Sequence, residues 1–281
     1  MASEIGGFLR SRRARVRPQD AGLPEHGPRR VPGLRREEVA RLAGVSVDYY
    51  VRLEQGRTPG VSDAVLDAVA RVLGLEEVER EHLHRLARPA RGAPAALPRV
   101  RPGTRRVLDL LGGAPAFVLG AGGRVLAWNA LGEALLGFSA LPAAQRNAVR
   151  HTFLDPAART LYLDWPAVAE ESAAYLRLEA GRAPGDEGTA ALVAELLRAS
   201  AEFRRLWARQ DLRERVAGAK RMHHPAVGEL DLGYEVLAVA GEPAQTVVVL
   251  TCEAGSATAE RLSLLASWHA SAGSAPGVPR G

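Results

Sequence analysis

The chain has 281 residues, 47% hydrophobic and 25% charged, with a formal charge of +5 and a single cysteine, Cys252. That length suits two domains, and that composition excludes a chain disordered throughout. One cysteine excludes an intramolecular disulfide or a multi-cysteine zinc site, and no apolar run approaches the roughly 20 residues of a membrane span.

The opening MASEIGGFLRSRRARVR lacks the uninterrupted apolar core of a signal peptide. It reads as a helix over 3–17, capped by Ser3, with Ile5, Phe8, Leu9 and Val16 as its apolar stripe. The Pro- and Gly-rich stretch 18–33 reads as a long loop carrying Arg29 and Arg30. Helices follow over Leu34–Ala43, Ser46–Gln55, 62–74 and Glu76–Ala87. Residues 88–104, RPARGAPAALPRVRPGT, cannot build a core and read as a linker. A short helix, Arg105–Leu111, opens a second pattern. Strands are expected at Ala116–Leu119 and Val125–Trp128. Helices are expected at Ala130–Leu136, Pro142–Phe153, Trp165–Gly181, Gly188–Ala199 and Glu202–Arg209. Strands return at Val216–His223, Gly228–Leu237 and Thr246–Cys252, before a helix, Ala257–Trp268, and a tail, 269–281, expected to be disordered. The fold class read from this order is an all-α domain of five helices followed by an α+β domain with an antiparallel sheet.

Charge divides unevenly. Residues 1–106 carry 21 arginines against 13 acids, a net +8, whereas residues 107–281 carry 16 basic residues against 19 acids, a net −3. Much of the arginine follows a composition rich in Ala, Gly and Pro, and Lys220 is the only lysine. The asymmetry nevertheless points to a polyanion partner for the first half.

Residues 34–56, LRREEVARLAGVSVDYYVRLEQG, meet the physical demands of a helix-turn-helix. Ala40 is small where two helices must touch. Gly44 supplies a positive φ in the turn, Val45 plugs the space between the helices, and Ser46 caps the second helix. Tyr50 and Leu53, three apart, face the core. Val47, Asp48, Val51 and Arg52 are left outward, where a recognition helix meets base edges. An ordinary αα-hairpin is the competing reading. This segment resembles the xenobiotic-response-element class of phage-repressor-like DNA-binding domains, over about residues 5–87. The resemblance implies that the Ser46–Gln55 helix enters the major groove of double-stranded DNA. Val47, Asp48 and Arg52 then read bases, with Arg52 donating to guanine and Asp48 accepting from cytosine. Tyr49, Gln55, Arg57 and Thr58 fall at rim and phosphate positions, and Arg35 and Arg36 lie within reach of the backbone.

The second half, with its strand–turn–strand PAFVLGAGGRVLAWN, FLDPAARTLYLDW, GAKRMHHPAVGELDLGYEVL and closing VVVLTCEAG, is similar to the MmyB-like ligand-binding domain over about 105–268. That resemblance implies a PAS-like fold whose apolar cavity takes a fatty acid or similar ligand. Gln210 stands where the family leads one to expect a histidine, and Met222 where it leads one to expect an aromatic. The large side chains Trp128, Phe153, Trp165, Tyr175, Phe203, Trp207 and Tyr234 are candidates for the cavity wall. Asn129, Arg204, Lys220, His223, His224 and Tyr234 are candidate anchors for a carboxylate. Any single aromatic among them is equally a core residue. No nucleophile elbow, zinc-protease motif or phosphate-binding loop occurs, so neither catalysis nor a metal or redox cofactor is expected. The expectation is a cytoplasmic, ligand-controlled transcriptional regulator, a homodimer that associates with the nucleoid and not with a membrane. The alternative is a DNA-binding regulator whose C-terminal domain only dimerises or binds a protein partner.

Overall fold

The structure, a computed structural model, describes residues 4–23, 33–58, 60–88 and 99–273. Ser3, Arg29 and Arg30, most of the expected linker and the stretch 274–281 lie outside the described residues. The chain divides into two units. The first comprises residues 1–93 together with 177–185 and 205–214, and the second 94–176, 186–204 and 215–281.

In the first unit the five expected helices are α1 (Glu4–Arg15), α2 (Arg36–Leu42), α3 (Val47–Glu54), α4 (Asp63–Val72) and α5 (Glu77–Ala87). Three of them end alike. Gly44, Gly56 and Gly74 take positive φ, and the next residue's N–H returns to a helix carbonyl: Val45 to Ala40, Arg57 to Arg52 and Leu75 to Ala70, each at 2.9 Å. This is the Schellman arrangement, which satisfies the last carbonyls at a position only glycine occupies without strain. Serines start the helices that follow: Ser46 Oγ accepts from Tyr49 N and Ser62 Oγ from Val65 N. Within the loop 18–33, Gln19–Ala21 form one 310 turn. Phe8, Leu9, Leu34, Val39, Tyr50, Leu53, Leu66, Val69 and Leu83 make a core from which water is excluded, each Leu contributing about 2 kcal/mol by transfer.

The two later segments are built into this unit. Leu212 packs on its core, and Ser11 Oγ donates to Arg209 O at 2.9 Å. Arg12 donates to Gln210 O at 2.7 Å and pairs with Glu79 at 2.8 Å. Gln210 is the one non-glycine described residue with positive φ, at 59°. The ring of His82 is fully buried, edge-on to Phe8, and lies against Gly181, where any Cβ would collide with it.

The second unit begins with α6 (Pro102–Leu110). It starts three residues before the expected Arg105, because Pro102 occupies the first helical position, where proline's missing N–H costs nothing. Residues 102–104 are therefore helix rather than linker. Strands β1 (Ala116–Leu119) and β2 (Val125–Trp128) and helix α7 (Ala130–Leu136) follow the expected bounds. Helix α8 (Ala148–Leu154) starts later than Pro142, since Asn147 caps it and accepts from Val149 N and Arg150 N, both at 2.9 Å. A short helix α9 (Ala158–Leu161) was not expected from the sequence. Then come α10 (Trp165–Arg182), α11 (Glu187–Ala199), α12 (Ala201–Ala208), β3 (Ala217–His224), β4 (Gly228–Ala238), β5 (Thr246–Thr251) and α13 (Ala257–Gly273). The last residues of α10 and α12 fall within the segments counted with the first unit. Residues 269–273, expected as disordered tail, continue α13.

All five strands form one antiparallel sheet in the order β2-β1-β5-β4-β3. Its period of two separates the faces. Ala116, Val118, Ala127 and Val247 pack with Leu108 of α6 on one side. Phe117, Met222, Leu230, Leu232, Tyr234, Val248 and Leu250 point to the other, together with Leu131 and Leu135 of α7 and Leu262 and Leu265 of α13. The sheet and its helical cover give the α+β class that the order of elements implied.

Burial depresses His82 to a pKa of about 3, with the charges of Arg85, Arg177 and Arg12 adding to the effect. Its folded form is neutral while the unfolded chain takes up a proton below pH 6.5, so this part of the stability is present above pH 6.5 and is lost as pH falls toward 3. The loss should reach about 1.4 kcal/mol per pH unit in that window. Urea unfolding of the protein and of His82→Leu across pH 3–7 checks this, since the variant should have the shallower slope.

Candidate functional sites

The first site is the outer face of α3. The turn Gly44–Val45 and the Ser46 cap fix where this helix starts, and Tyr50 and Leu53, both buried, fix its rotation. Burial also holds the Tyr50 hydroxyl well above its ordinary pKa range, with the charge of Glu54 adding to it. Ala40 is fully buried where α2 crosses α3, and Val45 is half-buried against the same core. With that face turned inward, Val47, Asp48 and Arg52 are exposed, and Val51 and Tyr49 are half-buried beside them. Gln55 and Arg57 are exposed just past the helix end, Thr58 is half-buried there, and Arg35 is exposed ahead of α2. The residues expected at base and phosphate positions are thus exposed or half-buried, with one qualification.

Arg36 is engaged elsewhere. Its guanidinium donates to the Glu54 carboxylate at 3.1 and 3.2 Å, and Arg13 of α1 reaches the same group at 3.3 Å while donating to Leu34 O at 2.7 Å. The side chain of Glu54 is 1% exposed. Arg36 is first a partner for a buried carboxylate, and only its half-exposed remainder faces outward. Glu54 was absent from the expected site. Its signal was legible, since it lies four residues after Tyr50 and next to Leu53, on the inward face of the helix.

The second site is a cavity inside the second unit, between the sheet and its helical cover. Phe117 of β1, Val248 and Leu250 of β5, Tyr234 of β4 and Lys220 and Met222 of β3 supply the floor. Leu136, Ala148, Thr152, Tyr162, Val168, Ser172 and Arg215 close it. An adjoining cavity shares Phe117, Leu136, Ala148 and Tyr162 and adds Phe138, Leu141, Asn147 and His151. These walls are mostly apolar. The exception is a cluster around Glu171 on α10. Tyr234 donates its hydroxyl to Oε1 at 2.6 Å, Arg215 Nε donates to the same oxygen at 3.2 Å, and Lys220 Nζ stands 3.7 Å from Oε2. Arg215 also lies over the Tyr175 ring at 4.4 Å. Burial alone would raise the Glu171 pKa, but Lys220, Arg215 and Tyr234 outweigh it and hold the group below the usual carboxylate range. Burial, with Arg215 adding, lowers Lys220 to about 8 against the pull of Glu171. Burial lifts Tyr162 to about 12. Two cations share one carboxylate, so the cluster carries one positive charge in excess when Lys220 is protonated.

Of the side chains expected at the cavity, Lys220 and Tyr234 line it. Asn129 does not. Its Oδ1 accepts from Ala116 N at 3.0 Å and Gly132 N at 2.8 Å, and its Nδ2 donates to the carbonyls of Leu111 and Ala114. Every polar atom of its amide is spent on capping α7 and tying it to β1. Phe153, Trp165 and Phe203 form an aromatic cluster of their own, with Trp165 Nε1 donating to Thr152 O. Trp128 packs on Phe138 with Arg146 over its ring. Trp207 carries Arg177 at 3.7 Å in the first unit, and Arg204 donates to the last carbonyls of α11. His223 is exposed on the edge strand β3. Tyr175 is buried beneath Arg215 and outside the lining. Met222, where an aromatic was expected, does line the cavity; Gln210 belongs to the first unit. Phe117, Tyr162, Arg215 and Glu171 were missed. For Glu171 the signal was an acidic pair within the apolar run WPAVAEESAAYL.

Two family models match the chain. One, a helix-turn-helix domain, covers residues 4–83. The other, the MmyB-like transcription regulator ligand binding domain, covers residues 100–265, more than half of the chain. The chain belongs to the MmyB-like transcription regulators. No curated protein matches it. An MmyB-like regulator with this pair of domains binds DNA through the first and a small ligand through the second. No helix among the described residues is long and apolar enough to cross a membrane.

The buried Glu54 sets a measurable cost. Glu54→Gln leaves the side chain of Arg13, only 11% exposed, without its counter-charge. That change is expected to destabilise the protein by about 3 kcal/mol in urea unfolding. Arg36→Ala, removing a half-exposed partner, should cost about 1 kcal/mol or less.

Proposed function

We propose that this regulator reads its operator with α3 in the major groove and is controlled by an amphipathic anion, of the fatty-acid kind, held in the second unit's cavity. The observation that carries the first part is the rotation of α3. Burying Tyr50 and Leu53 leaves Val47, Asp48 and Arg52 together on the open face. Arg52 then donates to guanine O6 and N7, Asp48 accepts from cytosine N4, and Val47 meets a thymine methyl, with Val51 at the edge of the same patch. Tyr49, Gln55, Arg57, Thr58, Arg35 and the outward part of Arg36 take phosphates and fix the register. The charge arrangement supports this. Residues 1–36 carry a net +6 and 91–106 a net +5, while 37–90 carry a net −3. Positive charge therefore flanks the reading helix in sequence, and base selection falls to a few groups.

For the ligand, the excess cation beside an apolar wall favours a carboxylate head seated at Lys220 and Arg215 with its chain along Phe117, Met222 and Leu250. Ligand binding shifts a regulator only by its different affinity for two states. Here those states are two arrangements of a homodimer working on DNA in the cytoplasm.

Two measurements test this. Arg52→Ala should weaken binding to the preferred operator by roughly 1–3 kcal/mol and relax selectivity at one base pair. An unchanged base preference in a selection from randomised DNA sinks the assignment. Decanoate should raise the melting temperature more than decanol does, and Arg215→Met should abolish that difference. Absence of any shift, together with native mass spectra that show an empty dimer, would favour a domain that only dimerises or binds a protein partner.

A further inference from the structure

Lys220 is the only lysine among 281 residues, and its side chain is 14% exposed, inside an apolar cavity. Its Nζ is ion-paired with Glu171 Oε2 at 3.7 Å, a long contact. Oε1 of the same carboxylate is already taken by Tyr234 and Arg215. Aromatic faces flank the amine, with the Tyr234 ring centre at 5.1 Å and that of Tyr162 at 5.9 Å. An amine in an apolar pocket beside a second cation is the arrangement that makes lysine nucleophilic, because both surroundings disfavour its protonated form.

We propose that Lys220 captures an aliphatic aldehyde in this cavity as a Schiff base, so that the regulator senses a carbonyl compound covalently. The proposal rests on reading the cavity as a ligand site. The neutral amine attacks the carbonyl carbon, the C=O π bond becomes an alkoxide, and a proton passes from nitrogen to that oxygen. The carbinolamine then loses water to leave R–CH=N–Lys220. The balance is aldehyde plus amine to imine plus water, with no oxidant or reductant. Glu171 Oε2, facing the amine, accepts the proton from nitrogen and returns it to the departing hydroxyl. Tyr234 and Arg215 hold Glu171 in place through Oε1. The chain of the aldehyde lies along Phe117, Met222 and Leu250.

The depressed pKa of Lys220, about 8, is consistent with this role. At pH 7.5 about a quarter of such amines are neutral, against about a thousandth for an ordinary lysine. The charged and titratable groups around it are Arg215, Glu171, Tyr162 and Tyr234, with the His151–Asp155 pair at the adjoining cavity.

The test uses the full chain, decanal and cyanoborohydride, which fixes an imine irreversibly. Peptide mapping has two amines to resolve, Lys220 and the α-amino group. The expected result is a single adduct at Lys220, formed at least about tenfold faster than at the α-amino group. Its rate should rise through a midpoint near pH 8, slow with added decanoate, and disappear in Lys220→Arg. Labelling confined to the α-amino group, or a Lys220 rate no faster in the folded chain than in urea, overturns the proposal. A melting temperature raised by decanoate without adduct formation overturns it while leaving the cavity reading in place. Lys220 labelling that decanoate does not slow removes the cavity reading and the proposal with it.

Discussion

One buried carboxylate sets the geometry on which the outer face of α3, the proposed reading surface, depends. Glu54 sits near the end of α3 with 1% of its side chain exposed, and it meets Arg13 from α1 and Arg36 from the start of α2. A charge in such a place is costly unless it is paired, so the three helices can pack only in the arrangement that brings both guanidiniums to it. The apolar contacts of Tyr50, Leu53 and Phe8 would tolerate small rotations of α3. A shared ion pair tolerates fewer, because hydrogen bonds have narrow geometric limits. The outward positions of Val47, Asp48 and Arg52 therefore follow in part from a residue that is itself buried.

The same logic runs in the second unit with opposite consequences. Glu171 is again a carboxylate between two cations, but here the cluster opens onto a cavity. Around Glu54 the charges are consumed in holding helices together. Around Glu171 the same excess of one cation lies beside a mostly apolar cavity, where an unbalanced charge is felt strongly. Two clusters of the same formal charge, one carboxylate between two cations, thus differ in their access to open space.

The helix-turn-helix was legible almost to the residue because its determinants are local. Glycine at a positive φ, serine at an N-cap and apolar residues three and four apart act within one turn of the chain. The strands around the Gly-rich turn at 121–123 were legible for the same reason. The cavity was not. Asn129 was read as a carboxylate anchor, whereas the helix that starts at Ala130 makes it the cap. The aromatics were read as wall because size and hydrophobicity look alike in a core and around a cavity, and only the sheet register places Phe117, Tyr234 and Met222 on one face. The short helix α9 carries no periodic signal over four residues. The integration of 177–185 and 205–214 into the first unit depends on contacts nearly two hundred residues apart, which no local pattern encodes.

The distribution of basic side chains has a consequence for control. Of the 37 basic residues, 36 are arginine, and the one lysine lies inside the second unit. Acylation of lysine, which erases positive charge from a surface, has no substrate on the DNA-facing unit. Arginine keeps its proton across the physiological range. The electrostatic attraction of this regulator for DNA is therefore one that lysine acylation leaves alone, and ionic strength is a principal variable that tunes it.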